Sequence, residues 1–282
     1  MGPRHILLTS TSIAASISID EGLKSSAVLT SRSDILPALD CHAHVSPDVT
    51  LDQVRALGPV IVFAMTRSLA EAERVQNRSD ASILWGCGVH PRDRAAMTAF
   101  DAGRFADLIS NFVLAGEIGL DRRAPRWDVQ LRVFASILGV LSQQPRISSI
   151  HSAGCPHVVV QLLATYRPAG CVLHWFTGNR SAIELATALG CAFSINAAMT
   201  DAQIRLLPQD RVLPETDFPA ARLRTGVQPG DTAQLEQRLA RLWNMSASRV
   251  RIQCYRNLRD LVVRAKVLDR LPETLSDYLL AV

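Results

Sequence analysis

Lysine is almost missing from this chain of 282 residues: Lys24 and Lys266 stand alone, so 28 of the 30 basic side chains are arginine. Guanidinium forks match phosphate geometry better than ammonium points do, although an arginine-rich codon bias would leave the same composition. The formal net charge of +4 is a mild basic excess that favours an anionic partner without requiring one. Aromatics are sparse at 5%. No run of eighteen or more apolar residues occurs, which argues against a spanning helix. The stretch Ile6 to Ile19 is too often interrupted by Ser and Thr to form a signal-peptide core. A cytoplasmic location without membrane contact is the expectation. The six cysteines contain no C-x-x-C pair, which excludes a zinc knuckle or redox motif and predicts reduced, mostly buried thiols. Cys41 alone sits beside metal-type residues.

What is abundant is core material. Hydrophobic residues make up 48% and charged residues 20%, enough for a large interior. From Asp34 onward, short apolar or β-branched runs ending in polar residues alternate with segments of helical spacing. The runs predict strands ending near Asp40, Met65, His90, Glu117, His151, His174, Asn196 and Asp217. Helices are expected over Leu51 to Leu57, Ser68 to Gln76, Asp101 to Ser110, Trp127 to Ser142, Pro156 to Thr165, Arg180 to Leu189 and Asp201 to Leu206. Two more, Thr232 to Leu242 and Ala247 to Val263, would cover the outer wall, with Asn257 as a packing or capping residue. Ser68, Asp101 and Asp201 are reasonable N-caps, and Gly58 and Gly190 mark helix ends. Repeated β-α-β units with eight strands close into a (β/α)8 TIM-type barrel of the α/β class, here one domain over 34–282. Residues 1–33 read as a flexible or peripherally packed extension. An open doubly wound sheet is the alternative, but it would gather ligands at one crevice and not at six of eight strand ends.

Five of the seven histidines recur with acidic residues at those strand ends, in the order Asp40, His42, His44, His90, Glu117, His151, His174, Asp217. His42 and His44 lie two apart after an apolar run, and alternate residues of an extended chain point the same way, so both imidazoles can reach one ion. A single strand-end histidine is more often a satisfied interior side chain than a ligand. Several histidines and carboxylates together at strand ends would leave buried charges unpaired unless a cation joined them. His157, after Pro156 at a helix start, reads as exposed or capping, and His5 lies outside the barrel.

Six ordered segments resemble the motifs of the TatD family of metal-dependent hydrolases, within the amidohydrolase-like barrels. They are Asp40-Cys41-His42-Ala43-His44, Gly88-Val89-His90-Pro91, Gly116-Glu117-Ile118-Gly119-Leu120-Asp121, Ile150-His151-Ser152, His174-Trp175-Phe176-Thr177-Gly178 and Glu215-Thr216-Asp217-Phe218-Pro219. Residues 128–134, 149–154 and 173–178 look closest to the QatD branch, which accompanies a bacterial anti-phage system. The resemblance implies that His42, His44 and Asp217 bind one divalent ion, that His151 and His174 bind a second, and that Glu117 bridges them. Imidazole and carboxylate ligands suit Mg²⁺, Mn²⁺ or Zn²⁺ without choosing among them. Asp40 is expected to fix an imidazole tautomer, and Glu215 to support Asp217. His90 is either a phosphate or substrate contact or a histidine hydrogen-bonded beside Pro91.

The chain departs from the family after Asp121, where an aromatic residue is usual and Arg122-Arg123 stand, with Arg126 nearby. These are expected either at a phosphate backbone or in a solvated loop. Phe218 replaces a small residue and would narrow the mouth or stack on a base. The expected activity is hydrolysis of DNA, single-stranded or at an end, by a two-metal nuclease of exonucleolytic type, with Asp217 and Glu117 as its catalytic carboxylates. Hydrolysis of an amide, an ester or a small phosphate ester at the same site is the first alternative. A catalytically silent subunit of a multi-protein defence complex is the second.

Overall fold

Eight short apolar runs become eight parallel strands hydrogen-bonded in strict chain order. The computed structural model describes residues 36–219 and 228–282; the expected extension, residues 1–33, lies outside the described residues. The strands are β1 (Ala38–Ala43), β2 (Val60–Met65), β3 (Ile83–Cys87), β4 (Leu114–Gly119), β5 (Ile147–His151), β6 (Cys171–His174), β7 (Ala192–Ile195) and β8 (Val212–Pro214). Strands such as Val60–Met65 are apolar at every position because both faces are covered, the inner by the barrel interior and the outer by helices. Beyond β8 the Asp217 N–H donates to the His42 carbonyl at 2.9 Å, and the His44 N–H donates to the Phe218 carbonyl at 2.6 Å. These bonds join the end of β8 to the end of β1, so the polar strand ends themselves help close the barrel.

The connecting helices are α1 (Leu51–Ala56), α2 (Leu69–Val75), α3 (Arg94–Thr98), α4 (Ala102–Leu108), α5 (Trp127–Gln143), α6 (Pro156–Tyr166), α7 (Arg180–Ala188) and α8 (Asp201–Arg205). Ser68 and Asp101 cap α2 and α4 through bonds to the Glu71 and Arg104 N–H groups. Asp201 is not a cap. Thr200 holds that place, because its hydroxyl accepts from the Gln203 N–H while the Gln203 side chain returns to the Thr200 N–H. Gly58 and Gly190 end their helices at positive φ, +76° and +82°.

Two long helices, α9 (Ala233–Trp243) and α10 (Ala247–Ala265), lie C-terminal to the barrel strands, followed by α11 (Glu273–Leu280). The Tyr255 hydroxyl donates to the Pro37 carbonyl, and the Asn257 amide donates to the Gln209 and Val212 carbonyls, so α10 is pinned to the entry of β1 and of β8. Asn257 is thus the packing residue expected. The short α3 and the terminal α11 were not anticipated. All six cysteines are free and buried. Cys41 neighbours Cys254 of α10, and burial holds its thiol well above its usual range.

β4 and β5 approach unusually closely. A methyl group added at Gly119, whose φ is +137°, would fall 2.2 Å from the His151 carbonyl oxygen. Only glycine permits that spacing and that backbone, and it brings Glu117 and His151 within reach of each other.

Candidate metal centre

Glu117 is 1% exposed and lies at the middle of a ring of five imidazoles. Its Oε2 is 2.9 Å from His44 Nε2, 3.1 Å from His90 Nε2 and 3.6 Å from His42 Nε2. Its Oε1 is 2.5 Å from His151 Nδ1 and 3.5 Å from His174 Nε2. Asp217 joins from the end of β8, with Oδ1 3.8 Å from His42 Nε2. Strand ends β1, β3, β4, β5, β6 and β8 therefore meet in one place, as the barrel scaffold allows. Asp217 holds φ +50° and Trp175 holds φ +41°, left-handed conformations that non-glycine residues adopt at a cost of roughly 1–2 kcal/mol.

Donor atoms of His42, His44 and Asp217 lie within 4.8 Å of one another, and the same holds for His42, Glu117 and His174 and for His44, His90 and Glu117. The first group is the expected one. The expected second group of His151 and His174 meets through Glu117 Oε1, and His90 joins His44 and Glu117 in the third group.

The hydrogen bonds fix tautomers suited to a cation. His44 Nδ1 donates to the Met65 carbonyl at 3.2 Å, and His174 Nδ1 donates to Glu215 at 3.2 Å. In each neutral ring the lone pair then sits on Nε2, facing an oxygen of Glu117. A lone pair facing a carboxylate is repulsive unless a proton or metal lies between them. His42 Nδ1 bonds the Ser149 hydroxyl at 2.6 Å, and its Nε2 is buried without any hydrogen-bond partner. That orphaned nitrogen, aimed among carboxylates, is what a metal ligand requires. His90 is arranged the other way: Nδ1 accepts from the Arg92 N–H at 3.0 Å, so Nε2 carries the proton and donates to Glu117. It is both hydrogen-bonded beside Pro91 and open to the cleft.

Two supporting carboxylates exchange the roles expected of them. Asp40 contacts no imidazole among the described residues; it accepts from the Thr216 N–H at 2.9 Å, the Thr216 hydroxyl at 2.6 Å and the Gly230 N–H at 2.8 Å. It thereby anchors the segment carrying Asp217. Glu215 does not touch Asp217 but holds His174, and itself accepts from Asn196 at 2.9 Å and from Ser194. The cause is strand order. Asp40 on β1 faces β8 across the barrel closure, while Glu215 faces the β6 and β7 side. Glu215→Gln is expected to lower metal affinity about 10–100-fold, measured by titration of the metal-free protein; unchanged affinity contradicts the orienting role.

Burial disfavours the His174 cation, but Glu215, Glu117 and Asp217 outweigh it and push its pKa up to about 10. His151 is raised too, burial being outweighed by Glu117 and Asp121. Burial followed by the neighbouring His174 holds His42 well below the usual imidazole range, and burial lifts Asp217 to about 6. A raised pKa adds stability that is complete below the unfolded value, 6.5 for histidine, and is lost as pH rises through the folded value. Metal-free protein is therefore expected to melt at lower temperature at pH 8.5 than at pH 6.5. A cation takes the place of those protons, so saturating metal should shrink the decline. Scanning calorimetry with chelator and with metal checks both signs.

Above the ring opens a cleft of about 780 Å³ lined by Arg67, Arg92, Arg123, Trp175 and Thr177 as well as the histidines. Arg122 and Phe218, expected at the substrate, are not among its lining. The Arg122 guanidinium stacks 4.7 Å over the Trp127 ring, and Phe218 packs against the core. Arg126 occupies the residue before α5, in the left-handed conformation. Arg67 and Arg92 escaped the sequence reading because no motif contains them; each stands within a few residues of a strand end, the one signal that marks the rim of this barrel.

Residues 39–262 match the model of the family described as TatD related DNase. A protein of Erwinia amylovora named 3'-5' ssDNA/RNA exonuclease TatD is 28% identical over 157 residues, covering 50% of this chain and 61% of that protein. A Rahnella protein of the same name is 28% identical over 177 residues, covering 57% and 67%. The match thus spans about three fifths to two thirds of these relatives. Among solved structures, a TatD homologue of Escherichia coli superposes with TM-score 0.69 at 19% identity, over 80% of this chain and 98% of that one. A PTE-like lactonase of Deinococcus radiodurans reaches 0.54 at 14% identity, over 78% and 94%, and shares the fold. With the family model matched across all six strand-end motifs, the chain belongs to the TatD related DNase family.

Proposed function

We propose that the chain is a divalent-metal-dependent phosphodiesterase that hydrolyses DNA, exonucleolytically, from single strands or strand ends. The observation that carries this reading is the buried Glu117 with the Nε2 atoms of His44 and His174 turned toward its two oxygens, beside the orphaned Nε2 of His42. Two cations, Mg²⁺, Mn²⁺ or Zn²⁺, held by His42, His44 and Asp217 and by His151 and His174 with Glu117 common to both, would supply Lewis acidity at phosphorus and acidify water. Asp217 accepts the proton of the attacking water at a carboxylate oxygen. His90 lies beside the reacting phosphate, and the Arg123 guanidinium at the rim steadies the phosphate that adjoins it. The names of the Erwinia and Rahnella relatives support single-stranded substrates.

Among the described residues no helix is long and apolar enough to cross a membrane. The likeness of residues 128–134, 149–154 and 173–178 to the QatD branch supports a cytoplasmic setting within an anti-phage assembly, which co-purification of a stoichiometric partner would test.

The test of activity is a panel of end-labelled DNA and RNA, single- and double-stranded, assayed with each cation. Cleavage of single-stranded DNA that chelator abolishes is expected. With about two phosphates engaged, raising salt from 50 to 200 mM should weaken binding roughly sevenfold. Salt-insensitive turnover of a small ester, with every nucleic acid left intact, points to the amide or ester alternative.

A further inference from the structure

The two sides of the cleft differ in chemistry. Three guanidiniums line it from consecutive strand-end loops: Arg67 after β2, Arg92 after β3 and Arg123 after β4. Trp175, Thr177 and Pro219 line it from the ends of β6 and β8. Two carboxylates stand beside these arginines among the described residues: Glu71, whose Oε2 accepts from the Arg67 backbone N–H at 2.7 Å, and Asp121, with Oδ2 3.8 Å from Arg92 Nε and Oδ1 3.4 Å from Arg123 Nε. Asp121 also accepts from His151 Nε2 at 3.2 Å and from the Arg123 N–H at 2.8 Å. The Arg67 guanidinium makes no ion pair among the described residues, so three guanidiniums against two carboxylates leave this side a positive excess. Its side chains are outward-reaching: Arg92 is 63% and Arg123 is 73% exposed. They therefore meet charge at the mouth, outside the ring of imidazoles that a reacting phosphate would occupy.

Trp175 supplies the other half. It follows the candidate ligand His174 directly, is half-buried, and is held in its left-handed conformation with its N–H donating to the Ser194 carbonyl at 3.1 Å. Its side chain lines the polar cleft, where an indole can stack on a flat ring. In a cleft whose other wall holds the phosphates, that stacking place suits a base that has left its pair.

On the nuclease reading above, we propose that Trp175 stacks on the unpaired base of the nucleotide at the metal centre, while Arg67, Arg92 and Arg123 hold the adjoining phosphate outside it. The minimum ligand is then one unpaired base and two phosphates. Specificity rests on the asymmetry of the rim, with phosphates along the β2–β4 side and the base on the β6 side. Trp175 and Arg67 are positioning residues in this scheme; neither touches the reacting atoms.

The test is binding of the full chain, with Mg²⁺ present, to fluorescent oligonucleotides whose phosphorothioate linkages resist hydrolysis. One series carries every base, and a second has an abasic sugar at either terminus in turn. The parent protein should prefer the base-bearing strand about tenfold at one terminus. Trp175→Ala should bring that ratio to about one, and Trp175→Phe should restore most of it. Arg67→Gln should weaken both strands alike, by about fivefold, reduce the slope of binding against salt, and leave the base preference intact. Circular dichroism confirms that each variant folds. No base preference in the parent, or a preference that survives Trp175→Ala, overturns the proposal; so does an Arg67→Gln variant with the parent's salt slope. Retained base preference without hydrolysis of natural DNA under any cation contradicts the nuclease reading instead and leaves the stacking subsite standing.

Discussion

Glu117→Ala is expected to lower turnover on single-stranded DNA by more than about a thousandfold while the barrel stays folded. Both carboxylate oxygens are engaged, Oε2 toward His44, His90 and His42 and Oε1 toward His151 and His174. Among the described residues Glu117 is the carboxylate that faces both sets, so its removal leaves the imidazoles without the anion they share. The fold survives because the imidazoles can release their protons once the carboxylate is gone, which spares the interior an uncompensated charge. Burial opposes the Glu117 charge, yet His90 and His151 hold its carboxyl well below the ordinary range, so the anion is the form present at neutral pH. Glu117→Gln, which keeps the shape and loses the charge, should be nearly as inactive. Rates within tenfold of the parent, measured with matched metal and by far-UV circular dichroism for fold, contradict the bridging role.

The second large effect is on stability. Asp40 is completely buried, and its carboxylate satisfies the Thr216 N–H, the Thr216 hydroxyl and the Gly230 N–H. Asp40→Ala orphans all three in the interior, where each unsatisfied polar group costs roughly 1–3 kcal/mol. A total loss of about 3–5 kcal/mol is expected, or roughly 10 °C in Tm for a domain of this size. Asp40→Asn should lose less but still destabilise, since an amide presents a donor where an acceptor is needed. The consequence extends to the site: Thr216 precedes Asp217, whose φ of +50° needs a firmly held neighbour. Metal affinity should therefore fall with stability. Burial pushes the Asp40 carboxyl up to about 6. A raised acid pKa means that the ionised form becomes costly as pH climbs from the ordinary 3.8 through 6, and Asp40→Ala removes that slope. A variant melting within 2 °C of the parent contradicts the anchoring role.

How much of this was legible beforehand follows the range of each interaction. The eight strands and most helices follow from local periodicity; strand-end placement on a closed barrel gathers the histidines and acids, and the resemblance to TatD motifs singles out His42, His44, Glu117, His151, His174 and Asp217 among them. The exchange between Asp40 and Glu215 was not legible, because Asp40 bonds a residue 176 positions away and the choice of partner depends on which strands are neighbours. Thr200 outcompeted Asp201 as a cap through a reciprocal pair with Gln203, a pattern readable in retrospect. Arg122, expected either at a phosphate backbone or in a solvated loop, turns instead onto Trp127. The aromatic surface of the cleft belongs to Trp175 and not to Phe218, a distinction set by backbone conformations that side-chain identity does not encode.

The most direct test of the account is the stoichiometry of metal binding to chelator-treated, full-length protein, measured by equilibrium dialysis with elemental analysis for Mg²⁺, Mn²⁺ and Zn²⁺ in turn. Two ions per chain for at least one of the three, falling to one or none in Glu117→Ala, is the expected result. A parent protein that retains no divalent ion at millimolar metal, with its fold intact, contradicts the reading of the strand-end ring as a metal centre.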